Sequence, residues 1–302
     1  MTIASESTHW ASEVELEVRR MQPRWPRAVP LGKATSTSFQ LPFDALNAFP
    51  AVSDEALARF AVGYERLVDS AILQERIFDG MDRSAAVVMR AVAKETEASQ
   101  HFRSLFPSDA GFWPRLRTYL AEYAWAYTQE LGYITGEFPY TTYDEALGLR
   151  IARGKNGLSR TVVAGLVELS RDDCPLGALL RILDDFSVAT QLWDDLQDWR
   201  KDLRRGRLSL LLSRVVKRFP EGLDDTGWRR LEAHLARRMY YEGHASHVLG
   251  IALCALDSAE DTSSRLPGFN INPRLVELRQ RLEALDQDLE SVIAKHLWRG
   301  FP

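Results

Sequence analysis

Three aspartates spaced by four residues, Asp194, Asp198 and Asp202, lie in the stretch QLWDDLQDWRKDLRRGR, residues 191 to 207. On a helix of 3.6 residues per turn each is rotated only about 40° from the one before, so all three project from successive turns of one face. Like charges stacked this way repel, and the repulsion grows as the groups lose water. Two arrangements relieve it. In one, a hard cation sits among the carboxylates, and Mg2+ is suited to one or two of them together with phosphate oxygens. In the other, the face is solvated and its charges pair with Arg200, Lys201, Arg204 and Arg205. An earlier stretch, LQERIFDGMD, residues 73 to 82, carries Glu75, Asp79 and Asp82 at i, i+4 and i+7, a second acidic row on one helix face. Two such helices facing each other would build the kind of carboxylate site that bundles place in their interior. Arg76 and Arg83 lie within the second row, so ordinary surface pairing is open there as well.

The elements that must position these rows read as helices. Apolar residues recur with helical period from end to end, and the breaks fall where Pro, Gly, Asn and Ser cluster, as at Asn156 to Ser159, Arg204 to Ser209 and Pro220 to Thr226. About ten helices with short connections are expected, so the predicted fold is all-α, a single large antiparallel helix bundle with a central apolar cavity. Residues 1 to 302 are expected to form one domain, with residues 1 to 38 as a flexible N-terminal arm. A chain of 302 residues that is 45% hydrophobic and 26% charged buries a sufficient core without staples. Net charge of −4 argues against nucleic acid as a partner. Cys174 and Cys254 are far apart and lack metal-ligand spacing, which fits a reducing, cytoplasmic setting. No uncharged apolar run approaches the ~18 residues of a membrane helix, and the N-terminus has no signal pattern. His244 and His247, at i and i+3 near Glu242, form no complete metal site and read as an ordinary surface or core pair.

The order Gln191, Asp194-Asp195, Asp198, Asp202 and Gly206-Arg207 resembles the second aspartate-rich motif of trans-isoprenyl diphosphate synthases, and the RRGR ending resembles squalene and phytoene synthases. The shared level is the class I isoprenoid (terpenoid) synthase fold. Lys155 and Gly157 match the place of that family's diphosphate-binding lysine, and LQERIFDG falls where its first DDxxD motif would stand, with Glu75 and Arg76 in place of the leading aspartates. The resemblance spans about residues 60 to 210. It implies Mg2+ held by Glu75, Asp79, Asp194, Asp198 and Asp202, and an isoprenyl diphosphate substrate contacted by Arg76, Lys155, Gln191, Trp193, Lys201 and Arg207. Asp194, Asp198 and Lys155 would be catalytic. Metal and cations would draw off diphosphate and leave an allylic carbocation in a dry pocket, where aromatic faces stabilise it. Phe60, Tyr64, Tyr119, Tyr123 and Trp193 are available, although an aromatic stripe in a bundle is more often core packing. The resemblance also implies a homodimer.

Chain-elongating members of that family bind a second diphosphate through a Gly-Lys-x-x-Arg-type segment and an Arg-Arg-Gly after the first motif. Here Gly32-Lys33 runs into ATSTS, and only Arg83 follows Asp79. Since a second diphosphate needs its own cations, one-substrate chemistry is expected, that of a Mg2+-dependent terpene synthase (cyclase). The alternatives are an isoprenyl diphosphate synthase, by chain elongation or head-to-head condensation, and a non-catalytic helical binding protein of the same fold.

Overall fold

The computed structural model describes residues 41–298 except 43–44, 46–47, 79, 83, 171–174, 221 and 267–270. The expected N-terminal arm, Gly32, Lys33, Asp79, Arg83 and Cys174 lie outside the described residues. Ten α-helices and two short 3₁₀ turns make up the described secondary structure, with no strand among the described residues, so the all-α expectation holds. No described helix is long and apolar enough to cross a membrane. The described residues fall into two compact units, one within Met1–Arg117 and Ser159–Leu176, the other within Thr118–Leu158, Gly177–Pro267 and Ile271–Pro302.

In the first unit, α1 (Asp54–Phe78) buries Leu57, Phe60, Ala61, Tyr64, Leu67 and Ala71, the i, i+3, i+4, i+7 stripe of an amphipathic helix. It pairs antiparallel with α2 (Ala85–Leu105): Ser70 Oγ donates to the Ala91 carbonyl at 2.9 Å, and Gly63 lies against His101 and Phe102. Phe60 then meets Phe102 at 5.6 Å, Phe106 at 6.1 Å and Phe112 at 6.3 Å, ring centroid to ring centroid. The aromatics at 60 and 64 are therefore buried core residues. The helix α5 (Arg160–Ser170) closes on this cluster because residue 165 is glycine; a Cβ there would stand 2.2 Å from the Phe60 ring.

The end of α1 corrects the reading of the acidic row at Glu75 to Asp82. The helix stops at Phe78, Gly80 turns the chain at φ +66°, and the Met81 and Asp82 amides bond back to the Arg76 carbonyl at 3.0 and 3.2 Å. Asp82 is thus past the helix and does not share its face with Glu75. Its Oδ1 accepts from the Ser84 amide at 3.0 Å, just before Ser84 caps α2 by accepting from Val87 N.

The second unit contains most of α3 (Phe112–Ile134), α4 (Glu145–Lys155), the 29-residue α6 (Leu176–Arg204), the single-turn α7 (Leu210–Ser213), α8 (Asp225–Tyr241), α9 (His244–Ser264) and α10 (Asn272–Trp298). Close approach of α4 to α3 requires Gly154, where a Cβ would lie 2.7 Å from Ala126 Cβ. Contacts around α6 set its two faces. Leu179, Ile182, Leu192, Leu196, Trp199 and Leu203 are buried, while the faces between them carry the acids. The helix ends in a left-handed cap: Gly206 has φ +66°, and the Arg207 amide returns to the Asp202 carbonyl at 2.9 Å. The RRGR run is thereby a helix stop as well as a cation cluster, its arginines suited to the negative end of the α6 dipole.

Candidate active site

Within the second unit, α6 presents Asp194, Asp198 and Asp202 beside Lys155, which closes α4. Lys155 Nζ stands 3.2 Å from Glu130 on α3 and 5.3 Å from the centre of the Tyr127 ring, with its side chain only 17% exposed. Ending a helix with a lysine is favourable in itself, and here the same residue reaches into the acidic neighbourhood. Its charge acts on Asp194, Asp195 and Asp202, lowering the pKa of each against larger opposing effects.

Those opposing effects describe a crowded anionic pocket. Asp194 keeps access to solvent, yet loss of hydration around its carboxyl and the charge of Asp198 hold it above the ordinary carboxylate range. Asp202 is pushed up to about 7, first by burial and then by Asp195, Glu130 and Asp198. Asp198 is half exposed and pairs with Lys201 at 2.5 Å. Of the two readings of the aspartate face, the solvated pairing therefore holds at Asp198, and crowding dominates at Asp194 and Asp202.

Asp195, adjacent in sequence to the exposed Asp194, points the other way. It is 6% exposed and sits on the buried stripe with Leu192 and Trp199. Its Oδ1 accepts from the Gln191 side-chain amide at 2.9 Å and its Oδ2 from the Leu210 backbone amide at 3.2 Å. A carboxylate from α6 thus satisfies an orphan donor at the start of α7, and so fixes the strand of chain that carries Arg207. Burial raises its pKa to about 6 despite these bonds. Nearby, burial and the charges of Asp195 and Glu130 hold the Tyr143 phenol well above its usual value. Tyr143 packs edge-on against Tyr133, 5.2 Å between centroids.

The remaining expected contacts fall as follows. Gln191 gives its amide to Asp195. Trp193 lies under the Arg281 guanidinium from α10, 5.2 Å from its ring centre. Tyr119 and Tyr123 are buried, the latter 4.7 Å from Tyr127. Glu75, half-buried, and Arg76, exposed, belong to the last turn of α1 in the first unit. His244 and His247 stand within hydrogen-bond distance of Glu242 and Glu145, at 3.2 and 2.8 Å. Asp195, Glu130 and Tyr143 were not anticipated. Asp195 had a signal, because it falls in register with the apolar residues of its helix; Glu130 had none.

No group of three or more His, Cys, Asp or Glu among the described residues forms a metal cage. Mg2+ does not require one, since it is commonly held by one or two carboxylates with waters and substrate phosphates. Asp194 and Asp198, one helical turn apart and repelling each other, fit that donor set.

Comparison with known proteins bears on the fold. No protein-family model matches the sequence, and no curated protein matches it. Among solved structures, the chain is similar to a polyprenyl synthase from Caulobacter crescentus CB15 complexed with calcium and isoprenyl diphosphate, at 15% identity and a TM-score of 0.67, covering 92% of this chain and 95% of that one. It is similar also to heptaprenyl diphosphate synthase from Staphylococcus aureus, at 12% identity and TM-score 0.67 over 91% and 98% of the two chains. Geranylgeranyl pyrophosphate synthase from Corynebacterium glutamicum matches at 16% identity and TM-score 0.65 over 93% and 94%. The chain has the all-α class I isoprenoid synthase fold in the form adopted by isoprenyl diphosphate synthases.

Proposed function

We propose that this chain is a Mg2+-dependent enzyme acting on a prenyl diphosphate, of the isoprenyl diphosphate synthase type. The observation that carries the reading is the crowded row Asp194, Asp198 and Asp202 facing Lys155 within a fold shared with polyprenyl, heptaprenyl and geranylgeranyl synthases. Asp194 and Asp198 would hold Mg2+, and the bound ion would supply positive charge to a departing diphosphate. Lys155 supplies fixed positive charge at the same face, and Arg207 adds a guanidinium suited to bidentate phosphate contact. The charge of Asp198 is, after burial, one of the effects that raise Asp194, and a bound cation would offset that repulsion.

A second reading, one-substrate ionisation with cyclisation or water capture, is favoured by the sequence around Gly32-Lys33 and after Asp79, which lacks the arginines of a second diphosphate pocket. One experiment separates the two. Purified protein is incubated with Mg2+ and geranyl, farnesyl or geranylgeranyl diphosphate, with and without isopentenyl diphosphate. A longer prenyl diphosphate formed only with isopentenyl diphosphate supports elongation. Hydrocarbon or alcohol formed without it supports the second reading, and no diphosphate release under any condition rejects both.

A further inference from the structure

A lysine carries its charge on a flexible four-carbon stem, so the place of an ammonium is set by what holds it. At Lys155 the holder is Glu130. Nζ stands 3.2 Å from each oxygen of that carboxylate, and the two side chains are only 17% and 15% exposed. The Tyr127 ring, one turn before Glu130 on α3, lies 5.3 Å from the same nitrogen and flanks it with a π-face.

The pair does more than join two helices. Contact of α4 with α3 is already set by Gly154, where a Cβ would stand 2.7 Å from Ala126 Cβ and 3.0 Å from the Glu122 carbonyl oxygen. What Glu130 adds is a fixed place for a charge that several carboxylates attract. The charge of Lys155 reaches Asp194, Asp195 and Asp202 on α6. Drawn onto one of these, it would occupy carboxylate oxygens as Lys201 does at Asp198, and would compete there with Mg2+. Held on α3, it stays beside the row. An ammonium has three N–H donors, and a carboxylate lying to one side does not engage them all, so the same group can also meet phosphate oxygens.

We infer that Glu130 is a positioning residue for diphosphate capture: it keeps Lys155 beside the aspartate row, aimed at the diphosphate and off the oxygens that take Mg2+. The inference rests on the reading of that row as the metal and diphosphate site. Glu130 acts through the lysine, with no contact of its own to substrate or metal. Ordering a long side chain before the substrate arrives removes part of the entropy cost of binding it.

The test is calorimetric titration of the full chain with inorganic diphosphate at several fixed Mg2+ concentrations, with the Tm of each variant read alongside. Glu130→Ala should weaken binding by about tenfold, the scale of one charge-assisted hydrogen bond, and should raise the Mg2+ concentration needed. Glu130→Gln, which still accepts a hydrogen bond from Nζ, should recover most of the loss. Once Lys155→Ala has removed the lysine, adding Glu130→Ala should weaken binding no further. Wild-type affinity in Glu130→Ala, with only Tm lowered, would reduce the pair to a clamp between helices and overturn the inference. A further loss of about tenfold in the Lys155→Ala background would overturn it too, since Glu130 would then act on metal or phosphate directly. Failure of the wild type to bind diphosphate at any Mg2+ concentration would reject the reading of the aspartate row itself, and this inference with it.

Discussion

His101 gives a pH-dependent stability that can be worked through. It is 4% exposed in the α1–α2 interface, and burial, reinforced by Arg66 and Arg59 against the opposing charge of Glu97, lowers its pKa from 6.5 to about 4. The folded protein therefore holds this imidazole neutral where the unfolded chain would protonate it. Stability from this source is complete above the unfolded value of 6.5 and is lost as pH falls toward 4. With those two values the loss between pH 7 and pH 5 is about 2 kcal/mol, approaching roughly 3 kcal/mol below pH 4. Asp195 and Asp202 act in the opposite sense, because their raised values mean that the folded state takes up protons first as pH falls. The whole-protein curve mixes both signs, so the measurement is a difference. Urea unfolding of the wild type and of His101→Gln is followed from pH 7.5 to 4.5, and the wild-type advantage at pH 7 should shrink by about 2 kcal/mol at pH 5. A difference that stays constant over that range, or grows, would refute the reasoning.

Asp194→Ala and Asp198→Ala should each remove most turnover while leaving helical circular dichroism and Tm within a few degrees of wild type, since each removes a repelling charge rather than a core group; EDTA should do the same to the wild type. Lys155→Ala should raise the Michaelis constant for the diphosphate by the equivalent of about 1.5 to 3 kcal/mol, and an unchanged constant would confine the lysine to pairing with Glu130. Gly165→Ala should destabilise the first unit by about 1 to 3 kcal/mol, visible as a lower unfolding midpoint, because the added methyl meets the Phe60 ring. Asp195→Ala should speed hydrogen exchange at Leu210 and cost about 1 to 3 kcal/mol, whereas Asp195→Asn, still able to accept from that amide, should recover most of the loss.

Much of the fold was legible in the sequence because helices announce themselves through period and punctuation. The stop after Lys155 and the turn at Arg204 to Ser209 stand where Asn and Gly placed them. The row at 194, 198 and 202 was legible for the same reason, since four-residue spacing within one unbroken helix fixes a shared face. The row at 75, 79 and 82 misled because the same spacing was carried across Gly80, and a left-handed residue there ends the helix before Asp82. Lys155 was expected from the resemblance alone, and its partner Glu130 was not, since the pair is 25 residues apart and joined by the packing of α4 on α3. Gln191, expected at the substrate, turned out to be occupied with Asp195, a bond that depends on which way a buried neighbour points.

The opposite orientations of Asp194 and Asp195 have a consequence for counting ligands. Neighbours on a helix differ by about 100° in direction, so a pair of adjacent acids divides into one facing water and one facing the interior. The inner member here behaves as a fastener between two segments of chain. Any tally of metal donors taken from consecutive acidic letters on such a helix is one too high, and a designer who replaced the inner aspartate to tune metal affinity would be altering the attachment of the loop that bears Arg207 instead.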